Sequence, residues 1–175
     1  MPTLLVVHHS PTPATRALAD AVIAGAGDDL IAEAARTHRD GRLAVVVRPA
    51  LEASADDVLA ADGYLLLTPA NFGYMSGALK HFFDTIFLQA GGALAADGKA
   101  EGTGSSAPSS GRKPFGLLVH GRYDTTGAVR SVQAIVGALG WRQAAGVVQI
   151  LGDVDDEARE SAYELGGTLA AVLVA

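Results

Sequence analysis

An apolar run that stops at a proline, crosses a short aromatic segment and restarts as an amphipathic helix sets the pattern of this chain. The run is Tyr64-Leu65-Leu66-Leu67-Thr68, the segment is Pro69-Ala70-Asn71-Phe72-Gly73-Tyr74-Met75-Ser76-Gly77, and the helix spans Ala78 to Phe87. Leu79, Phe82, Phe83, Ile86 and Phe87 recur at helical spacing and form one apolar stripe. Pro69 pushes the residue before it out of the α region, so the run ahead of it reads as a strand. The segment between reads as a nine-residue loop. A plain connector would be polar, yet this one carries Phe72, Tyr74 and Met75. A single aromatic there would cap the core edge; a pair flanking Gly73 at a strand's carboxyl end reads better as a ligand platform.

The same strand-then-helix order repeats along the chain. Thr3 to His8 reads as a first strand, continuous in Leu4-Leu5-Val6-Val7 and so buried on both faces. A helix follows from about Thr15, with Leu18, Ala21, Val22 and Gly25 inward. Asp28 to Arg39 reads as a second helical stretch or a continuation of the first. Leu43 to Val47 is a β-branched strand ended by Pro49, and Ser54 is placed to cap the amide of Asp57 at a short helix start. Phe115 to His120 is the fourth strand. Its helix carries Val129, Val132, Val136 and Leu139 in register and stops at Gly140. Gly146 to Leu151 is the fifth strand, and Asp155 to about Val174 the last helix.

Strands alternating with helices imply a parallel sheet covered on both faces. Five strands point to an α/β, open, doubly wound sheet of order 2-1-3-4-5, with its ligand crevice at the carboxyl ends of strands 1 and 3. The loops after strands 1, 3 and 4 are the three with unusual composition, which agrees with that rule. The 175 residues fit a single domain, 1–175. Residues 91–113 break the pattern: six Gly, five Ala and four Ser among 23 positions leave little to bury. They read as a flexible loop insertion, with a lid role the less favoured reading.

Composition excludes several classes. The chain has no cysteine, which removes disulfides, zinc–thiolate sites, iron–sulfur clusters and Cys nucleophiles. Thirteen Lys and Arg against 19 Asp and Glu give a net charge of −6, with no basic cluster for nucleic acid or an anionic membrane. No apolar run reaches membrane-spanning length and no signal peptide is visible, so the expectation is a cytoplasmic protein without membrane insertion. His8 and His9 are adjacent in a strand and point to opposite faces, which argues against a shared metal with His120. Lys80 and Asp84 read as a surface pair on one helix, and Asp153, Asp155 and Asp156 as charges at a helix start. Trp141 reads as packing back on its helix or on a neighbouring subunit.

After strand 1 come Ser10, Thr12 and Thr15, with a helix N-terminus behind them. Exposed amides and the helix dipole favour an anion there. The loop has no Lys, no G-x-x-x-x-G-K and no G-x-G-x-x-G, so a single phosphate monoester fits better than a nucleoside triphosphate or a dinucleotide. N-capping alone explains one such hydroxyl easily and three poorly. A phosphate at strand 1 with aromatics at strands 3 and 4 suits a flat ring carrying a phosphorylated tail.

Ser10-x-Thr12-x-x-Thr15 resembles the phosphate loop of flavodoxins, and Thr68 to Asp84 resembles the matching segment of flavodoxin-like NAD(P)H-dependent FMN and quinone reductases. The resemblance spans nearly the whole chain except 91–113. It implies a flavodoxin-like fold and FMN as cofactor. Ser10, Thr12, Pro13, Ala14 and Thr15 would hold the phosphate. Pro69, Ala70, Asn71, Phe72, Gly73 and Tyr74 would line the ribityl chain and ring, and His120, Gly121, Tyr123 and Asp124 would close the other side. NAD(P)H would be the cosubstrate and a small molecule such as a quinone the acceptor. The resemblance names no catalytic side chain, and it leaves homodimer or tetramer open. One departure stands out: the family usually has Gly where Pro13 stands, and Pro13 removes an amide from the phosphate loop. Two alternatives remain, a flavodoxin-type electron carrier and a flavin-free interaction module on the same fold. A phosphoacceptor receiver fails, because His8-His9 and Thr68-Pro69 stand where its acidic residues belong.

Overall fold

The computed structural model describes residues 1–38, 41–91, 93–94, 100–101 and 112–175. Four parallel strands carry its sheet: β1 (Thr3–His8), β2 (Ala44–Pro49), β3 (Gly63–Asn71) and the strand β7 (Pro114–Gly121). The order is β2-β1-β3-β7, and the far edge of β7 is lined by two short segments, β8 (Arg142–Gln143) and β9 (Val148–Leu151). Both pair parallel to β7, at Pro114–Phe115 and at Leu118–Gly121 respectively. The fifth strand expected at 146–151 is therefore one edge position filled in two pieces. The doubly wound order 2-1-3-4-5 is present. Chain order adds β4 (Tyr74–Met75), β5 (Ala93–Leu94) and β6 (Ala100–Glu101), and the helices α1 (Pro13–Ala26), α2 (Asp29–His38), α3 (Ala55–Ala60), α4 (Gly77–Ile86), α5 (Thr126–Ala138) and α6 (Asp156–Val174).

The continuous apolar runs are explained by a sheet buried on both sides. Side chains alternate across a strand. Leu5, Val7, Tyr64, Leu66, Leu117 and Val119 therefore face one core with α3, α4 and α5. Leu4, Val6, Leu65, Leu67 and Leu118 face the other with α1 and α6. Each of these leucines and valines is fully buried, worth about 1.5–3 kcal/mol apiece against exposure.

On the second face α1 and α6 approach closely. A Cβ on Gly166 would lie 2.0 Å from the Val22 carbonyl oxygen, and one on Gly25 1.9 Å from that of Tyr163. The Tyr163 hydroxyl also donates to the Asp28 carboxylate beyond the end of α1. On the first face Trp141 is buried rather than at a surface, with its ring stacked on Tyr64 at 4.0 Å. The Tyr64 hydroxyl donates to the Val58 carbonyl at 2.9 Å, which ties β3 to α3. Lys113 caps the carboxyl end of α3, donating to Leu59 and Ala61 carbonyls at 2.9 and 2.6 Å.

Two boundaries differ from expectation. Helix α1 begins at Pro13, not Thr15, because Thr12 is its N-cap and Pro13 occupies the first helical position, where a missing N–H is harmless. The segment after β3 is not a loop: β3 continues to Asn71 and pairs with β4 as a hairpin. Most of 91–113 lies outside the described residues; Ala93–Leu94 and Ala100–Glu101 pair antiparallel.

Candidate functional site

The carboxyl ends of β1, β3 and β7 lie side by side at the point where the chain's winding reverses. His9 leaves β1 by donating its amide to the Leu67 carbonyl at 3.0 Å. The His8 Nδ1 pairs with the Ser10 hydroxyl at 3.0 Å. His9 Nδ1 is buried and meets no partner among the described residues. Burial holds both histidines below their ordinary pKa, with Asp20 and Glu52 opposing it weakly at His8.

Thr12 and Thr15 close a reciprocal capping box. The Thr12 hydroxyl accepts from the Thr15 amide at 3.2 Å, and the Thr15 hydroxyl accepts from the Thr12 amide at 3.1 Å. Thr15 is buried, so its hydroxyl works within the cap. Capping thus accounts for two of the three hydroxyls and His8 for the third. What the loop offers a ligand is the helix N-terminus itself. The amides of Ser10 and Ala14 make no bond among the described residues, and Pro11 and Pro13 have none to give.

After β3 the hairpin turns on Phe72 and Gly73, at φ 50° and 73°. Left-handed backbone at both central residues is the type I′ turn that tight hairpins favour. Glycine adopts it freely, while phenylalanine is strained there. Phe72 is fully exposed, Tyr74 is 45% exposed, and Met75 is buried. The hairpin is anchored at its base and along one side. The buried Thr68 hydroxyl accepts from the Ser76 amide at 3.0 Å and donates to the Pro69 carbonyl at 2.9 Å. The Met75 amide donates to Ser131 of α5 at 3.4 Å. The first turn of α5 rests on the hairpin tip: a Cβ on Gly127 would fall 1.9 Å from the Gly73 carbonyl oxygen.

At the end of β7, His120 pairs in register with Pro69, and its Nε2 lies 2.9 Å from the Gly152 carbonyl. Gly121 packs within 3.3 Å of the Ala70 methyl, measured from the Cβ it lacks. Tyr123 is 87% exposed. Asp124 is turned to its own backbone: it accepts from the Thr126 amide and hydroxyl at 3.1 and 2.7 Å, which lowers its pKa and starts α5. A cavity of about 430 Å³ opens between the start of α1 and the end of β7, lined in part by Thr12, Pro13, Ala14, His120, Arg122 and Arg159.

The structure thus seats the hairpin at 69–74 on the segment after β7 at two points, Ala70 against Gly121 and Gly73 against Gly127, and leaves Phe72, Tyr74 and Tyr123 exposed. It sets His120 against the cavity shared with Thr12, Pro13 and Ala14. Ser10 lies on the His8 side of the same loop, and Thr15 lies inside the cap. Sequence reasoning missed Gly127, Arg122 and Arg159. Arg122 sits within a loop already marked by its composition. Arg159 sits in the first turn of α6, and only the tertiary fold brings it here. Among the described residues no group of three or more His, Asp or Glu is arranged for a metal, and no helix is long and apolar enough to cross a membrane.

Comparison with solved structures returns this fold. An archaeal flavodoxin matches with a TM-score of 0.71 at 16% identity, covering 98% of each chain. A WrbA-like flavodoxin from Agrobacterium tumefaciens matches at 0.65 and 18% identity, covering 99% of this chain and 98% of that one. A flavodoxin from Streptococcus pneumoniae TIGR4 matches at 0.63 and 20% identity, covering 97% and 99%. No curated protein matches by sequence. The family model for NADPH-dependent FMN reductase matches residues 14–149, from the start of α1 to within β9. That span takes in the aromatic hairpin, the turn after β7 and most of the sheet, and by it the chain belongs to the NADPH-dependent FMN reductase family, a group of flavin-binding oxidoreductases.

Proposed function

We propose that this chain binds FMN across the carboxyl edge of the sheet and uses it to pass reducing equivalents from NAD(P)H to a small acceptor such as a quinone. The observation that carries the reading is the aromatic hairpin. A phenylalanine held fully exposed at a left-handed φ is unfavourable both for solvation and for backbone, and it sits where doubly wound sheets bind ligands.

The residues fit the cofactor in kind. One end of the edge offers an open helix N-terminus with the unpartnered Ala14 amide, suited to a phosphate. The other end offers Phe72, Tyr74 and Tyr123, suited to a flat ring. In this reading Ser10, Thr12, Pro13 and Ala14 surround the phosphate, and Thr15 holds the cap that sets the first turn of α1 and with it the Ala14 amide. Asn71, Phe72, Gly73 and Tyr74 border the ring, with Tyr123 across from them. Pro69 and Ala70 fix the hairpin's base, His120 and Gly121 hold the opposite wall, and Asp124 keeps the α5 start in place. Bound there, the flavin supplies the two-electron chemistry, while the chain supplies position and surroundings. The strained turn keeps Phe72 outward, where it would border the flavin ring.

The test is an FMN titration of the purified chain followed by visible absorbance, then mixing of the loaded protein with NADPH in stopped flow. Yellow protein that bleaches rapidly with NADPH and recolours with a quinone supports the reading. Bound flavin that accepts electrons only from a one-electron reductant would make the chain a carrier. A folded chain indifferent to excess FMN would remove the reading altogether.

A further inference from the structure

The loop after β1 is short of donors for a group carrying nearly two negative charges. Two of its positions are prolines, and two hydroxyls are held in the capping box. The fold brings charge to the same place from elsewhere. The cavity walled on one side by Thr12, Pro13 and Ala14 is walled on the other by Arg122, from the turn after β7, and Arg159, from the first turn of α6. These are the two cations lining it, against the single carboxylate of Asp153.

Neither guanidinium is locked in its present contact. Arg122 Nη1 donates to Asp153 at 2.9 Å, and Arg159 Nη1 donates to Asp156 at 2.8 Å. The arginines are 66% and 48% exposed, their carboxylates 94% and 102%. Ion pairs this open are weak and exchange readily in water. Each arginine makes one side-chain ion-pair bond of the five its donors allow. A phosphate presents several acceptor oxygens in a geometry guanidinium matches in pairs, and it is the stronger partner.

We propose that Arg122 and Arg159 clamp the phosphate of the bound cofactor across this cavity, supplying the charge that the proline-rich loop does not. The assignment rests on the flavin reading above. It makes phosphate recognition here a property of β7 and α6 as much as of the loop after β1. It also predicts that binding falls with salt and that FMN is preferred strongly over riboflavin, which has the same ring and no phosphate.

The experiment titrates the full chain with FMN and with riboflavin, for the unaltered protein, Arg122→Gln, Arg159→Gln and the double variant, at low and high salt. The double variant should raise the FMN Kd about tenfold or more, move the riboflavin Kd by less than about twofold, and flatten the salt dependence. Thermal melting should stay near that of the unaltered chain, since both side chains are at least about half exposed and their ion pairs are open to water. An unchanged FMN Kd in the double variant overturns the clamp and leaves the flavin reading standing. Equal loss of FMN and riboflavin also overturns it, because the damage would then lie at the ring. Failure of the unaltered chain to bind either flavin overturns clamp and flavin reading together.

Discussion

Phe72 carries an unusual backbone for its type. A left-handed φ costs an L side chain about 1–2 kcal/mol, and glycine would return about 0.5–1 kcal/mol of that through its greater freedom when unfolded. Phe72→Gly should therefore melt no lower than the unaltered protein, and be up to about 1.5 kcal/mol more stable, yet bind FMN less tightly. A variant that loses stability and keeps affinity would show that Phe72 packs rather than binds. Ala14 gives a second opposed pair of readouts. Ala14→Asp places a carboxylate in the first turn of α1, which favours the helix by about 0.3–1 kcal/mol, while repelling a phosphate from the same amide. Melting temperature should hold or rise as FMN affinity falls and riboflavin affinity stays. At this scale the sequence was legible in part. Phe72 and Tyr74 stood out because aromatics are rare in a turn. That the hydroxyls of Thr12 and Thr15 face each other is not legible, because a string of residues does not show which side chains pair. Their mutual pairing exists only once Pro13 sets the first helical turn.

The elements are set by caps, close approaches and one turn. Thr12→Ala opens the capping box and should cost about 0.5–2 kcal/mol, read by chemical denaturation. Gly166→Ala forces a methyl against the Val22 carbonyl at 2.0 Å. Backbone must shift to admit it, so a loss of about 1–3 kcal/mol is expected on overpacking grounds. Gly127→Ala presses on the hairpin tip in the same way. Its expected signature is different, because the hairpin belongs to the site: flavin affinity should fall along with stability. The strands and most helices were legible, since apolar runs and helical stripes report directly on burial. The hairpin was not. Its turn, Asn71-Phe72-Gly73-Tyr74, lacks the Asn-Gly or Asp-Gly pair that announces a type I′ turn, and a bulky residue at the first left-handed position is not anticipated by any propensity. The split edge strand was missed for a related reason. Arg142–Gln143 is too short and too polar to show a period.

Across the whole molecule, acidity acts through two partly buried histidines before it acts through carboxylates. Burial holds His8 and His9 below their ordinary value of 6.5, so the folded chain resists a proton that the unfolded chain accepts. Above that value both states are neutral there and nothing changes; as pH falls below it, stability declines. Asp57 and Asp124 are lowered as well, here because hydrogen bonds favour the charged form: burial at Asp57 is outweighed by those from Ser54 and Arg48, and those from Thr126 act at Asp124. The stability they add is present above their ordinary 3.8 and is lost only as pH drops beneath it. Melting temperature should thus fall already between about pH 7 and pH 5, and His8→Gln should shrink that early drop. If the drop persists unchanged, it arises elsewhere. The doubly wound order was the most legible property of all, because alternation of strand and helix admits few other layouts. What stayed hidden was the meeting of distant segments, Arg159 with Ala14 and Trp141 with Tyr64. The second of these has a practical use. The chain holds one tryptophan, and it is buried in the core among the rings of Tyr64, Phe83 and Phe115. Its ultraviolet emission therefore has one origin, and a yellow ligand absorbing in the same band would dim it from within, giving a label-free optical gauge of occupancy that needs no engineered probe.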